Sequence, residues 1–196
     1  MGRRAKFTED DFLDAALRLV ASGGVRAATV SAIGSTLGAP SGSVYHRFAS
    51  MELLLARLWI RSVRRYHVGL IEALEGDDTI AAALHMVRWS REHLDEATVL
   101  LLYRAEELAA TWPDELGEQL NTLNSAAIAA SIAHGERRYG RSDKVFRDRL
   151  ALAIADIPFA VCRRHLVHGN PPPADADDIV ADLCRHVLGS IPQEDT

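Results

Sequence analysis

The chain has 196 residues, 48% of them hydrophobic and 25% charged, with a formal net charge of −5. That length holds one sizeable core, or a small domain joined to a larger one. No apolar run approaches the roughly 18 residues of a membrane span, and two cysteines, Cys162 and Cys184, are too few for a disulfide framework. The basic start MGRRAKFTEDD leads into acids and not into an apolar block, so it does not read as a secretory signal. The expectation is a soluble cytoplasmic protein.

The net charge hides a split. Residues 1–66 carry ten Lys/Arg against five Asp/Glu, a net of +5, and the remainder carries 12 against 22, a net of −10. Only the first third is suited to meet a polyanion.

The elements read as helices throughout, with no sustained period-2 alternation and no hairpin signal. Thr8 caps a first helix with acids at Glu9, Asp10 and Asp11 in its opening turn. Phe12, Leu13, Ala16, Leu17 and Val20 recur at helical spacing, and Gly23-Gly24 stops it. Thr29 caps a short second helix with Val30, Ile33 and Leu37 inward, and Gly38 supplies the turn. Pro40 is expected at the first position of a third helix, where its missing N–H costs nothing. Val44 and Phe48, four apart, face inward, which leaves Ser41, Ser43, Tyr45, His46 and Arg47 outward or flanking.

Ser50 caps a long helix to about Gly76. Further helices are expected from about Asp78 to His93 and from about Glu96 to Ala110. Trp112-Pro113 is a boundary before a helix that ends near Gly140. The next runs from Ser142 or Asp143 to Gly169 with a kink at Pro158. After the GNPPPADADD loop, a last helix spans about Asp175 to Gly189 with Ile179, Val180, Leu183 and Val187 on one face.

The stretch LGAPSGSVYHRF, Leu37 to Phe48, is the informative corner. A short helix, a tight glycine turn and a second short helix make a helix-turn-helix, about residues 29–48; the corner alone reads equally as a surface loop between two ordinary helices, and the +5 segment around it favours the former. Gly42 and Ser43 let its backbone sit deep in a major groove roughly 12 Å wide. Tyr45, His46 and Arg47 then reach phosphates or base edges.

Gly24 to Val30 (GVRAATV), Ile33 through Gly38 into the turn, and GSVYHRF from Gly42 to Phe48 followed by Ser50, Glu52 and Leu53-Leu54 carry a family pattern. On these motifs, residues 6–66 resemble the DNA-binding domain of TetR-type transcriptional regulators; the rest matches only in layout. The resemblance implies an all-α fold of about nine helices. Residues 1–66 would be the DNA-binding domain and 67–196 a helical ligand-binding and dimerisation domain. It implies DNA contacts from Thr29, Ser41, Gly42, Ser43, Tyr45, His46 and Arg47, with Arg3, Arg4 and Lys6 as a basic arm. Ser41 and Met51 depart from a family that often has basic residues there, which removes two phosphate contacts and shifts weight to the arm and to Tyr45, His46 and Arg47.

A twofold dimer would set two recognition helices roughly 34–36 Å apart on a palindromic double-stranded operator. The run LALAIADIPFAVC, Leu150 to Cys162, is apolar on most faces, which suits either core burial within a monomer or a bundle with a copy; the resemblance implies the latter, a homodimer through about 142–168 and 175–189. The resemblance also implies a pocket for a small, largely apolar effector, with Met86, Trp89, Tyr103, Trp112 and Phe159 as lining and Arg88, Arg104 or His85 as anchors. Ordinary core packing is the competing reading of each aromatic. His165 and His168 lack further ligands, so neither a metal site nor a cofactor is expected. No nucleophile elbow, P-loop, dinucleotide fingerprint or HExxH occurs, which disfavours an enzyme on this scaffold. The reading is a ligand-responsive DNA-binding regulator, most simply a repressor, and not an enzyme.

Overall fold

The computed structural model describes residues 7–102 and 116–189, and among these it is helical with no β-strand. It divides into two compact units, Met1–Ser62 with Asp95–Leu120, and Val63–Leu94 with Asn121–Thr196.

In the first unit, α1 (Glu9–Gly23) opens with a capping box: Asp11 N donates to Thr8 Oγ and Thr8 N donates to the Asp11 carboxylate. The helix ends where Gly24 takes φ 72°, and a 3₁₀ turn, Val25–Ala27, follows. In α2 (Val30–Leu37), Thr29 Oγ accepts from Ala32 N at 3.1 Å, and Gly38 closes the helix in the left-handed region. The third helix, α3 (Gly42–Tyr45), has only four residues. Pro40 is not its first residue, as the sequence predicts; its carbonyl instead accepts from Ser43 N at 2.8 Å and so closes the entering turn. Phe12, Ile33, Val44, Phe48 and Leu54 form the core of this unit, each at most 1% exposed. Phe12 meets Phe48 edge-on at 6.3 Å.

Ser50 caps the long α4 (Met51–Glu75) by accepting from Leu53 N. Its Arg57 pairs with Glu9 at 3.0 Å, and Arg61, one turn on, pairs with Asp10 at 3.0 Å and Asp14 at 2.7 Å. The acids that favour the amino terminus of α1 thus also tie α1 to α4.

The second unit holds α5 (Thr79–Glu92), capped by Asp78. The helix α6 (Leu94–Leu102) follows it in the chain. The single helix expected to end near Gly140 is two, α7 (Gly117–Thr122) and α8 (Ser125–Tyr139). The break falls in a Thr/Asn/Ser-rich stretch, whose side chains compete for backbone hydrogen bonds. The helix expected from 142 to 169 is also subdivided, into α9 (Lys144–Ala151), a π-helical segment (Leu152–Asp156) and α10 (Ile157–Leu166). Pro158 has no N–H to donate within the helix, and the wider turn just before it absorbs the misfit. The last helix, α11 (Ala176–Gly189), packs with α10 against α5.

A buried hydrogen-bond chain ties the carboxy-terminal end of α4 to α5 and α8. His134, fully buried, donates from Nδ1 to the Leu74 carbonyl at 3.1 Å. Its Nε2 therefore accepts from Thr79 Oγ1 at 2.8 Å, and Thr79 in turn accepts from the Tyr139 hydroxyl at 2.9 Å. Gly135 beside it is required by space, because a Cβ there would lie 2.7 Å from the Arg141 carbonyl oxygen and 2.8 Å from the Phe146 ring.

Thr79→Val keeps the volume but strands His134 Nε2 and the Tyr139 hydroxyl, so thermal or urea unfolding should show a loss of about 1–3 kcal/mol. Gly135→Ala should cost about the same through overpacking. Gly117→Ala, where a Cβ meets nothing within 4 Å, should cost nothing. Equal melting temperatures for Gly135→Ala and Gly117→Ala would contradict this packing.

Candidate nucleic-acid interface and ligand cavity

The surface of the first unit is built on α2, the glycine turn and α3. Gly34 is needed inside it, because a Cβ there would lie 2.9 Å from the Ala39 carbonyl oxygen. Gly42 is different. It has nothing within 4 Å of a Cβ and needs no left-handed backbone, so the folded chain itself gives no reason for glycine there.

Around Gly42, Ser41 and His46 are exposed, Ser43 is half-buried, and Tyr45 is 62% exposed. An exposed aromatic at the end of the shortest helix serves no packing purpose. Thr29, also exposed, spends its hydroxyl on the cap of α2. Arg47 does not face outward. Its guanidinium donates to the Phe7 carbonyl and lies 5.7 Å from the Phe12 ring centre, so it pins the segment that enters α1. Arg26, which received no role from the sequence, is exposed in the 3₁₀ turn leading into α2. Arg3, Arg4 and Lys6 lie outside the described residues.

The second unit contains an open, groove-shaped cavity of about 500 Å³, with Ile128, Arg147, Asp148 and Ala151 exposed along it. Tyr66, His67 and Leu70 of α4 line it together with Ala127, Ile128, Ser131 and Ile132 of α8 and Arg147, Leu150, Ala151, Ile154 and Ala155 of α9 and the π segment. Small residues at 127, 131, 151 and 155 leave the space, and the π turn sets Ile154 and Ala155 along it. Tyr66 is stacked on His85 at 5.1 Å and meets Trp89 edge-on at 5.5 Å. Burial pushes the Tyr66 phenol far above its ordinary value. Burial, then the neighbouring His85, hold His67 below the usual imidazole range. Both groups therefore enter the cavity wall uncharged at neutral pH.

Of the lining expected from the sequence, Met86 and Trp89 are buried core residues and Phe159 is half-buried on α10; none of the three borders this cavity. Tyr103, Trp112 and Arg104 lie outside the described residues. His85 is taken up by the Tyr66 carbonyl at 2.8 Å, and Arg88 faces Asp177 at 3.7 Å. The residues that make the cavity went unnoticed because their signal is small side chains on facing helices, not aromatic ones.

Cys162 and Cys184 are both free and buried. Burial pushes the Cys162 thiol up to about 11, which leaves no reactive thiolate at neutral pH. Among the described residues no cluster of three or more His, Cys, Asp or Glu is placed to hold a metal. No helix among them is long and apolar enough to cross a membrane.

Residues 12–58 match the family model described as bacterial regulatory proteins, tetR family. No curated protein sequence matches the chain. Among solved structures, it is similar to the fatty acid degradation regulator FadR from Bacillus halodurans, with a TM-score of 0.69 at 14% identity over 98% of this chain and 100% of that one. FadR from Bacillus subtilis in complex with stearoyl-CoA gives 0.68 at 14% identity, over 94% and 100% of the two chains. A TetR family regulator from Marinobacter aquaeolei VT8 gives 0.65 at 13%, over 91% and 94%. These likenesses establish the fold. The family match lies on the helix-turn-helix and the α1–α4 scaffold that carries it, so residues 12–58 are a DNA-binding domain of the tetR type, on a chain whose overall fold is that of TetR family regulators.

Proposed function

We propose that this protein is a cytoplasmic repressor that binds a palindromic operator as a homodimer and leaves it when a small, largely apolar molecule enters the cavity of the second unit. Residues 1–66 serve as the DNA-binding domain and 67–196 as the effector-binding and dimerisation domain. The observation that carries the reading is Gly42: a small, unstrained residue with open space above it, flanked by exposed Ser41, Tyr45 and His46. A helix stripped of bulk at that point lets its backbone approach a groove.

In this reading Ser41, Gly42, Ser43, Tyr45 and His46 contact DNA, Thr29 positions the amino terminus of α2, and Arg3, Arg4 and Lys6 reach phosphates. Arg47 positions the arm through the Phe7 carbonyl.

Support for the dimer lies in apolar side chains that the second unit leaves in solvent. Leu152, Val167, Ile179 and Leu183 are 40–57% exposed. Ile179 and Leu183 are one turn apart on α11, while Val180 and Cys184 of the same helix turn inward. A face of this kind is covered when α10 and α11 meet their copies in a four-helix bundle. Repression follows because occupancy of the operator alone blocks access, with no activating contact required. Since α4 belongs to both units, a ligand beside Tyr66 and Leu70 acts on the helix that also carries Arg57 and Arg61. The stearoyl-CoA complex of the Bacillus subtilis protein supports an apolar effector for this fold.

Footprinting on the intergenic DNA upstream of its own gene should show protection of twofold symmetry, and an apolar effector should weaken it. Protection unaffected by any ligand that fills the cavity would overturn the effector half of the reading. Gly42→Ala should leave the melting temperature unchanged or raised, by up to about 1 kcal/mol of helix propensity, yet lower operator affinity at least about tenfold. Full DNA affinity in that variant would remove Gly42 from the interface. Ile179→Asp with Leu183→Asp should convert a dimer to a monomer in sedimentation; a persistent dimer would place the interface elsewhere.

A further inference from the structure

The cavity of the second unit carries one charge that its own walls do not neutralise. Arg88 and Arg91 are paired with Asp177, Arg137 with Asp77, Arg141 with Asp143, and Arg185 with Asp182. Arg147, on the cavity wall, makes no side-chain hydrogen bond or ion pair among the described residues. Its neighbour Asp148, also on the wall, is paired with Lys144 at 2.6 Å and does not neutralise it.

The position of that charge is set by the topology. The helices α8 and α9 are joined by residues 140–143 and pack on each other, so they form an antiparallel hairpin. The lining runs from Asn124 to Ile132 on one arm and from Arg147 to Ala155 on the other. At 1.5 Å per residue each arm spans about 12 Å. Arg147 lies toward the hairpin end, and Asn124 and Ala155 lie toward the opposite end. Ile128, Leu150, Ala151 and Ile154 fall between, with Leu70 of α4. Tyr66 and His67 add hydrogen-bonding capacity but no charge.

We infer that the effector is a compact amphipathic carboxylate, its acid group on Arg147 and its apolar body, about 12 Å long, laid along Ile128, Leu150 and Ile154. The inference rests on the reading of this cavity as the effector site. A planar guanidinium matches a carboxylate in a forked pair. The nearby Asp148 carboxylate, even paired with lysine, disfavours a doubly charged phosphate. A volume of about 500 Å³ suits a ligand of this size.

The test is calorimetric titration of the full chain with decanoate and with decan-1-ol, both below their self-association limits. The wild-type protein should bind decanoate about tenfold more tightly than the alcohol, the worth of one charged hydrogen-bonded pair. Arg147→Gln should abolish that preference while leaving decan-1-ol binding unchanged, Arg147→Lys should restore part of it, and Arg88→Gln should change nothing. Equal binding of the two probes, a preference that survives Arg147→Gln, or no binding because a second copy covers the groove would overturn the inference. Release of operator DNA is measured alongside. Decanoate bound through Arg147 without any change in DNA affinity leaves the inference standing and sinks the effector reading. Release of DNA by other apolar molecules, with no role for Arg147, does the reverse.

Discussion

A helix of four residues, as α3 is, cannot hold its own shape. The neighbouring parts of α1, α2 and α4 in the first unit are organised around that constraint. The turn before α3 is tied down from both sides: Gly34 lets α2 touch the Ala39 carbonyl, and the Pro40 carbonyl closes on Ser43. Val44 and Phe48 then anchor the short helix in the core through the edge-on contact with Phe12. With packing and turn geometry carrying the fold, the outward positions are left open. They are filled by small and polar residues and one exposed tyrosine.

The same economy runs into α4. Arg57 and Arg61 hold the acidic first turns of α1, so the helix that bounds the DNA-binding scaffold is fastened electrostatically as well as by Leu54 and Leu58. Pairs as exposed as Arg57 with Glu9 contribute little individually. Arg61 is more enclosed, with 12% of its side chain exposed and two carboxylates on it, and it sets the register between the two helices. At its other end α4 supplies the Leu74 carbonyl to the buried His134 chain and Tyr66 to the cavity wall.

Much of this was legible in the sequence, and for local reasons. Caps at Thr8, Thr29 and Ser50 and stops at Gly24 and Gly38 depend on nearest neighbours, so the amino-terminal helices fall where their signals say. What local signals do not carry is tertiary. The π turn before Pro158 replaces a simple kink because the helix is held on both sides, and no local signal separates the two outcomes. Arg47 read as an outward cation, yet its partner is a carbonyl 40 positions earlier in the chain. Met86 and Trp89 looked like pocket residues because aromatic and sulfur side chains attract notice. The cavity instead arises where side chains are missing, opposite Ala127, Ser131, Ala151 and Ala155.

We propose that exposed groups around Gly42 read DNA while distributed basic residues supply the bulk of affinity. Operator affinity across a salt series, for wild type and for Tyr45→Ala with His46→Ala, tests it most directly. Affinity for both proteins should fall steeply and in parallel with rising salt, since phosphate contacts set that slope. The double variant should lose its preference for operator over unrelated DNA. An unchanged preference in the variant would contradict the account, because sequence would then be read from some other surface.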